Sequence, residues 1–160
     1  MRSIPCAGFR LTIRAQKGLA ARAFAQMSQS GEILIGSQGG DHVSIKTSPQ
    51  SFEGWRNAEI EVHCDCWIGR MSGNFMKGEL GRFAQEIRTL HRDLAGTAEL
   101  QPLQPNLTLT LTGDGKGHVA VDGEATNHFA RGTTLHFRFD IDQTFLPRIS
   151  EALSHADPAS

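Results

Sequence analysis

The 160-residue chain has no apolar run near the ~20 residues that a helix needs to cross a bilayer, which excludes a helical membrane span and predicts a soluble protein. Cysteine is scarce. Cys6, Cys64 and Cys66 are too few and too poorly placed for a disulfide framework, because neighbouring positions on one strand face cannot bridge each other; a reducing, cytoplasmic compartment is the expectation. Catalytic signatures are missing as well. The sequence holds no GxSxG, HExxH, GxxxxGKS/T or GxGxxG. Its one glycine-rich stretch with a lysine, Gly113 to His118, joins two predicted strands, whereas a phosphate cradle opens a helix.

Negative charge is absent from the first 26 residues, which carry Arg2, Arg10, Arg14, Lys17 and Arg22. That segment is +5; with a whole-chain charge of −1, the remainder from Met27 onward is −6. Three readings fit an arginine-rich leader: an upstream extension preceding a start at Met27, a loosely packed N-terminal segment, or a targeting signal. Residues 27–160, with the ordinary apolar and charged content of a globular chain, are expected to form one acidic domain. An acid excess of this size disfavours nucleic acid as a partner, since phosphate contact requires a basic patch.

From Gly31 onward short apolar alternations separated by glycines predict antiparallel strands. GEILIG and HVSIKT are the first two. In NAEIEVHCDC, Ala58, Ile60, Val62, Cys64 and Cys66 point one way and Glu59, Glu61, His63 and Asp65 the other. Both thiols therefore continue an apolar row, which predicts buried, reduced cysteines that do not share a metal with His63. A return strand is expected after a turn near Ile68 and Gly69. NLTLTLTGDGKGHVAVDGEA reads as a hairpin, and TTLHFRFDID is the clearest strand of the chain.

Two helices complete the pattern. Leu80, Phe83, Ala84, Ile87, Leu90 and Leu94 recur at helical spacing, with Gly96 as the expected C-cap. QTFLPRISEALSHA predicts a second helix with Leu146, Ile149 and Leu153 buried and Thr144 as N-cap. The fold expected is α+β: an antiparallel twisted sheet or small sandwich of about six to eight strands with two flanking helices.

Four stretches carry a family likeness: SFEGW leading into a strand, the helix ELGRFAQEIRTLHRDLAGTAEL, the hairpin tip GDGKGHVAV, and the terminal LHFRFDIDQTFLPRISEAL. Over roughly Val43 to Leu153 the chain resembles small bacterial immunity and immunity-like proteins of polymorphic and contact-dependent toxin systems, including those paired with WapI-type toxins. The resemblance implies a binder of a cognate bacterial toxin, not an enzyme, acting by stoichiometric protein–protein contact. A cationic nuclease is the partner that an acidic domain suits. A small-ligand-binding or enzymatic domain is the alternative, and a concave pocket with convergent polar groups would mark it.

No catalytic residue, cofactor or metal is expected. His63, His91, His118, His128 and His136 are scattered without ligand spacing. Asp140 and Asp142 could pair as carboxylates on one strand face, but Asp142 is more simply a strand-to-helix junction residue. Trp55 and Trp67 are the aromatic anchor candidates, Trp67 because the strand pattern sets it on the polar face. The partner-binding residues expected are Glu59, Glu61, Asp65 and Trp67 on one strand face.

Overall fold

The computed structural model describes residues 31–49, 53–128 and 131–158, so the readings for residues 1–26 lie outside the described residues. Eight strands form two four-stranded antiparallel sheets, each running in sequence order. The first contains β1 (Glu32–Gly36), β2 (His42–Thr47), β3 (Trp55–Cys64) and β4 (Trp67–Met76). The second contains β5 (Ala95–Leu100), β6 (Leu107–Asp114), β7 (His118–Thr126) and β8 (Thr134–Asp142). Helix α1 (Glu79–Asp93) links the two sheets. A 3-10 turn (Gln143–Phe145) and helix α2 (Leu146–Ala156) follow β8. The fold is α+β, as the alternation and helical spacings predict. No helix among the described residues is long and apolar enough to cross a membrane.

Strand alternation places one apolar row of each sheet in a common core. In the first sheet Val43 faces Val62 and Ile45 faces Ile60 across β2 and β3. In the second, Leu111 faces Val121 while Leu109 and Phe137 flank Gly123, whose missing side chain leaves room for the Phe137 ring. The helices seal this core: α1 packs on β5 and on α2, and α2 packs on β1. Leu80, Phe83, Ala84, Ile87 and Leu90 of α1, and Leu146, Ile149 and Leu153 of α2, are buried as their spacing predicts.

Four local expectations are corrected. Helix α1 stops at Asp93, with Leu94 itself in the left-handed region (φ 59°), and Gly96 lies inside β5. Tertiary contact overrides propensity there. The Leu94 carbonyl accepts from Gly115 N at 2.9 Å, and Gly113 passes so close that a Cβ would stand 2.5 Å from that oxygen. The second helix is preceded by a turn capped by Asp142, whose Oδ1 accepts from Thr144 N at 2.9 Å; Thr144 is not the cap. This carboxylate has the structural junction role, and that hydrogen bond holds its pKa below the ordinary value.

The chain reverses between β3 and β4 at Asp65 and Cys66, not near Ile68 and Gly69. Asp65 takes φ 55°, a conformation its short polar side chain tolerates and a two-residue hairpin loop demands. The fourth correction follows from this turn. Strand alternation ends at Cys64, so Cys66 is exposed in the loop instead of buried in the core.

Candidate functional site

The outer face of the first sheet is where the predicted partner-binding residues meet. Register arranges it in rows across the strands. Glu32, Lys46, Glu59 and Ser72 make one row; Leu34, Ser44, Glu61 and Arg70 make the next; His42, His63 and Ile68 make the third. Directly opposed residues in antiparallel strands project to the same side, so each row is a set of contacts.

The face mixes both signs and is not uniformly acidic, with Glu32, Glu59 and Glu61 set against Lys46 and Arg70. Lys46 Nζ lies 3.7 Å from Glu32 Oε1 and pairs in register with Glu59. Arg70 donates through Nε to Glu61 Oε2, while His63 Nε2 bonds the other carboxylate oxygen, Oε1. These partners, His63 first and Arg70 second, hold the Glu61 carboxyl below the ordinary glutamate range. A depression of about 320 Å³ lies over this region, lined by Lys46, Glu59, Glu61 and Arg70 among others.

Of the four predicted residues, only Glu59 and Glu61 share this face. Asp65 belongs to the hairpin loop, where its backbone N–H donates to Asp41 Oδ1 at 2.7 Å. Trp67 pairs with Cys64 and so projects to the opposite side of the sheet, the side of the apolar row. The two-residue loop shifted parity by one relative to an uninterrupted strand, and this moved the indole across the sheet. Trp67 is nevertheless 66% exposed, and its neighbour Ile68, on the face of Glu61 and His63, is 61% exposed. The β3–β4 tip thus carries two large apolar side chains on opposite faces, beside the acids Asp41 and Asp65. Trp55, at the other end of β3, is half-buried opposite Met76.

Cys64 is half-buried against the core and its Sγ lies 3.5 Å from the Arg138 carbonyl of β8. Burial pushes this thiol's pKa up. Its side chain faces away from His63, as the alternation predicts.

Sequence reasoning missed His42, Lys46, Arg70 and Ile68. The signal for them is register, which requires knowing that His42 pairs with His63, Lys46 with Glu59 and Arg70 with Glu61. His42 is buried at 8% exposure on this outer face and its ring stacks on His63, with centroids 4.4 Å apart and planes 15° from parallel. Its Nδ1 is 2.7 Å from the Gly40 carbonyl.

Elsewhere, Asp140 is an exposed residue of β8 in a depression with Arg138, Asp114 and His118. Asp114 Oδ1 accepts from the backbone N–H groups of Lys116 and His118, so the glycine-rich GDGKGH stretch is a hairpin loop closed on its own carboxylate.

A family model described as the Immunity protein WapI-like family matches residues 33–156, from the first core residue of β1 to the last residue of α2. A comparison with curated proteins gives no match.

Proposed function

The chain belongs to the WapI-like immunity protein family, and from that membership we propose that it neutralises a cognate bacterial toxin by stoichiometric binding, without catalysis of its own. The observation that carries the binding mode is the β3–β4 tip, where Trp67 and Ile68 stand exposed side by side in sequence. Large aromatic and aliphatic groups of this kind supply the buried centre of protein interfaces, and surrounding charge sets orientation and encounter rate. Asp41, Asp65 and Glu59 are exposed acids around the tip and the adjoining face. Together with the net −6 of the chain from Met27 on, they favour a cationic toxin surface such as a nuclease cleft. Glu61 serves this surface indirectly, by holding Arg70 and His63 in place. The site of action on this reading is the cytoplasm, where Cys64 and Cys66 stay reduced.

The test is titration of a purified toxin encoded beside this gene with the full chain. Protection should rise linearly and reach completion at one chain per toxin. Full protection at a small fraction of that ratio would show turnover and overturn the stoichiometric reading. Absence of any complex with the neighbouring toxin would remove the proposed pairing.

A further inference from the structure

We infer that His42, His63 and Glu61 form a binding site for a divalent transition-metal cation of the zinc class on the outer face of the first sheet. The three side chains offer one ligand atom each, and these atoms lie within 4.8 Å of one another. Two imidazoles and a carboxylate are a donor set that zinc, cobalt and nickel accept, with remaining coordination positions left to water.

The fold places these donors without any dedicated loop. Glu61 and His63 are two residues apart on β3 and so share a face, and His42 on β2 stands directly opposite His63. Around a tetrahedral ion with bonds of about 2.0–2.1 Å, ligand atoms stand roughly 3.3 Å apart, so binding draws the three atoms together and turns the stacked His42 and His63 rings, now 15° from parallel, until both in-plane lone pairs meet one cation.

Hydrogen bonds around the cluster set which atoms of His42 and Glu61 are left to bind. His42 Nδ1 lies 2.7 Å from the Gly40 carbonyl, an acceptor that fixes the proton on Nδ1 and leaves the lone pair on Nε2. Arg70 occupies Glu61 Oε2, which turns Oε1 toward His63 Nε2. The cation takes the place of the proton in that His63–Glu61 hydrogen bond: this proton leaves to solvent, the neutral His63 ring carries its one proton on Nδ1, and Arg70 keeps its hold on the second carboxylate oxygen. Two of the three ligands, His42 and Glu61, thus have an outer partner, and such support raises metal affinity in established sites. Both thiols lie outside the set, since Cys64 faces the opposite side of β3 and Cys66 sits in the loop. The site stands independently of the toxin reading.

The experiment is titration of the full chain with Co²⁺ and Zn²⁺, followed by calorimetry and by visible absorption of the cobalt complex. One equivalent should bind, giving cobalt d–d bands without a thiolate charge-transfer band, and Zn²⁺ should displace the cobalt. His63→Ala and Glu61→Gln should each weaken binding at least about tenfold, while Cys66→Ser should leave it unchanged. Should a variant fail to fold, histidine ring NMR of the unsubstituted protein decides the matter: Zn²⁺ should move the His42 and His63 signals and leave His118 and His136 in place. No saturable binding, affinity indifferent to both substitutions, a thiolate band, or shifts confined to other histidines would each overturn the site.

Discussion

Cys64 and Trp67 face each other across the β3–β4 hairpin, which sets the exposed indole on the opposite side of the sheet from Glu59 and Glu61. A partner that engages both therefore wraps the tip of the hairpin and does not lie flat on one face. Ile68, adjacent in sequence and projecting to the Glu61 side, gives the tip a second apolar contact.

Trp67→Ala should chiefly speed dissociation of the toxin complex. An indole that becomes buried at the centre of an interface contributes about 2 kcal/mol or more, equivalent to roughly a 30-fold faster off-rate, with the association rate little changed. Because Trp67 is two-thirds exposed in the free chain, its removal should alter folding stability by no more than about 0.5 kcal/mol. Surface plasmon resonance separates the two rates and a urea titration checks the fold. An off-rate equal to that of the unsubstituted protein would place the anchor elsewhere.

Glu59 and Glu61 should behave differently, although the sequence pattern treats them alike. Glu59 is exposed, so Glu59→Lys should slow association with a cationic toxin and flatten its salt dependence. Placing a lysine opposite Lys46 should cost the fold only about 0.2–1 kcal/mol. Glu61→Gln should instead change how stability depends on pH. The folded carboxyl, bonded by His63 and Arg70, has a lowered pKa, so at mildly acid pH the unfolded chain binds more protons than the folded one. The resulting stabilisation is fully present above the unfolded glutamate pKa and is lost as pH falls through the lower folded value. Urea midpoints of the two proteins should therefore differ most near neutrality and converge on acidification. A constant gap across that range would show that the Glu61 charge does not act through these partners.

Seven of the eight strands and both helices were legible because each buries one face, and burial imposes a period of two or 3.6 on the sequence. Val43, Ile45, Ile60 and Val62, or Phe83, Ile87 and Leu90, announce their side without any knowledge of the partner element. Strand β5 escaped because Ala95, Gly96 and Thr97 are exposed and only Ala98 and Leu100 are buried, leaving too little alternation beside a strong helical stripe. The candidate site was legible only in part. Glu59 and Glu61 follow from alternation within β3. The side of Trp67 depends on the number of residues in the turn, and the roles of His42, Lys46 and Arg70 depend on the pairing of separate strands. A single strand's pattern contains neither quantity.

Asp157 illustrates the same limit at the far end of the chain and leads to a stability prediction. The N-cap of helix α1 is Gly78, which adopts φ 92° and has no side chain with which to cap the first turn. The missing acceptor comes from the residue that follows α2: Asp157 Oδ2 accepts from Gly78 N at 2.7 Å and from Gly81 N at 3.2 Å. Asp157 is only 3% exposed, whereas Gly78 is exposed and Gly81 half-buried, so loss of the carboxylate would leave two backbone donors without this partner, one of them open to water. A carboxylate at a helix N-terminus also interacts favourably with the helix dipole. Asp157→Ala should therefore destabilise the protein by about 0.5–2 kcal/mol. Asp157→Asn, which keeps an acceptor oxygen but not the charge, should fall between the two. Urea unfolding followed by circular dichroism measures both, and amide exchange at Gly78 and Gly81 localises the effect. An alanine variant as stable as the parent would mean that the α1 N-terminus is satisfied by water and that Asp157 does not tie α2 to α1.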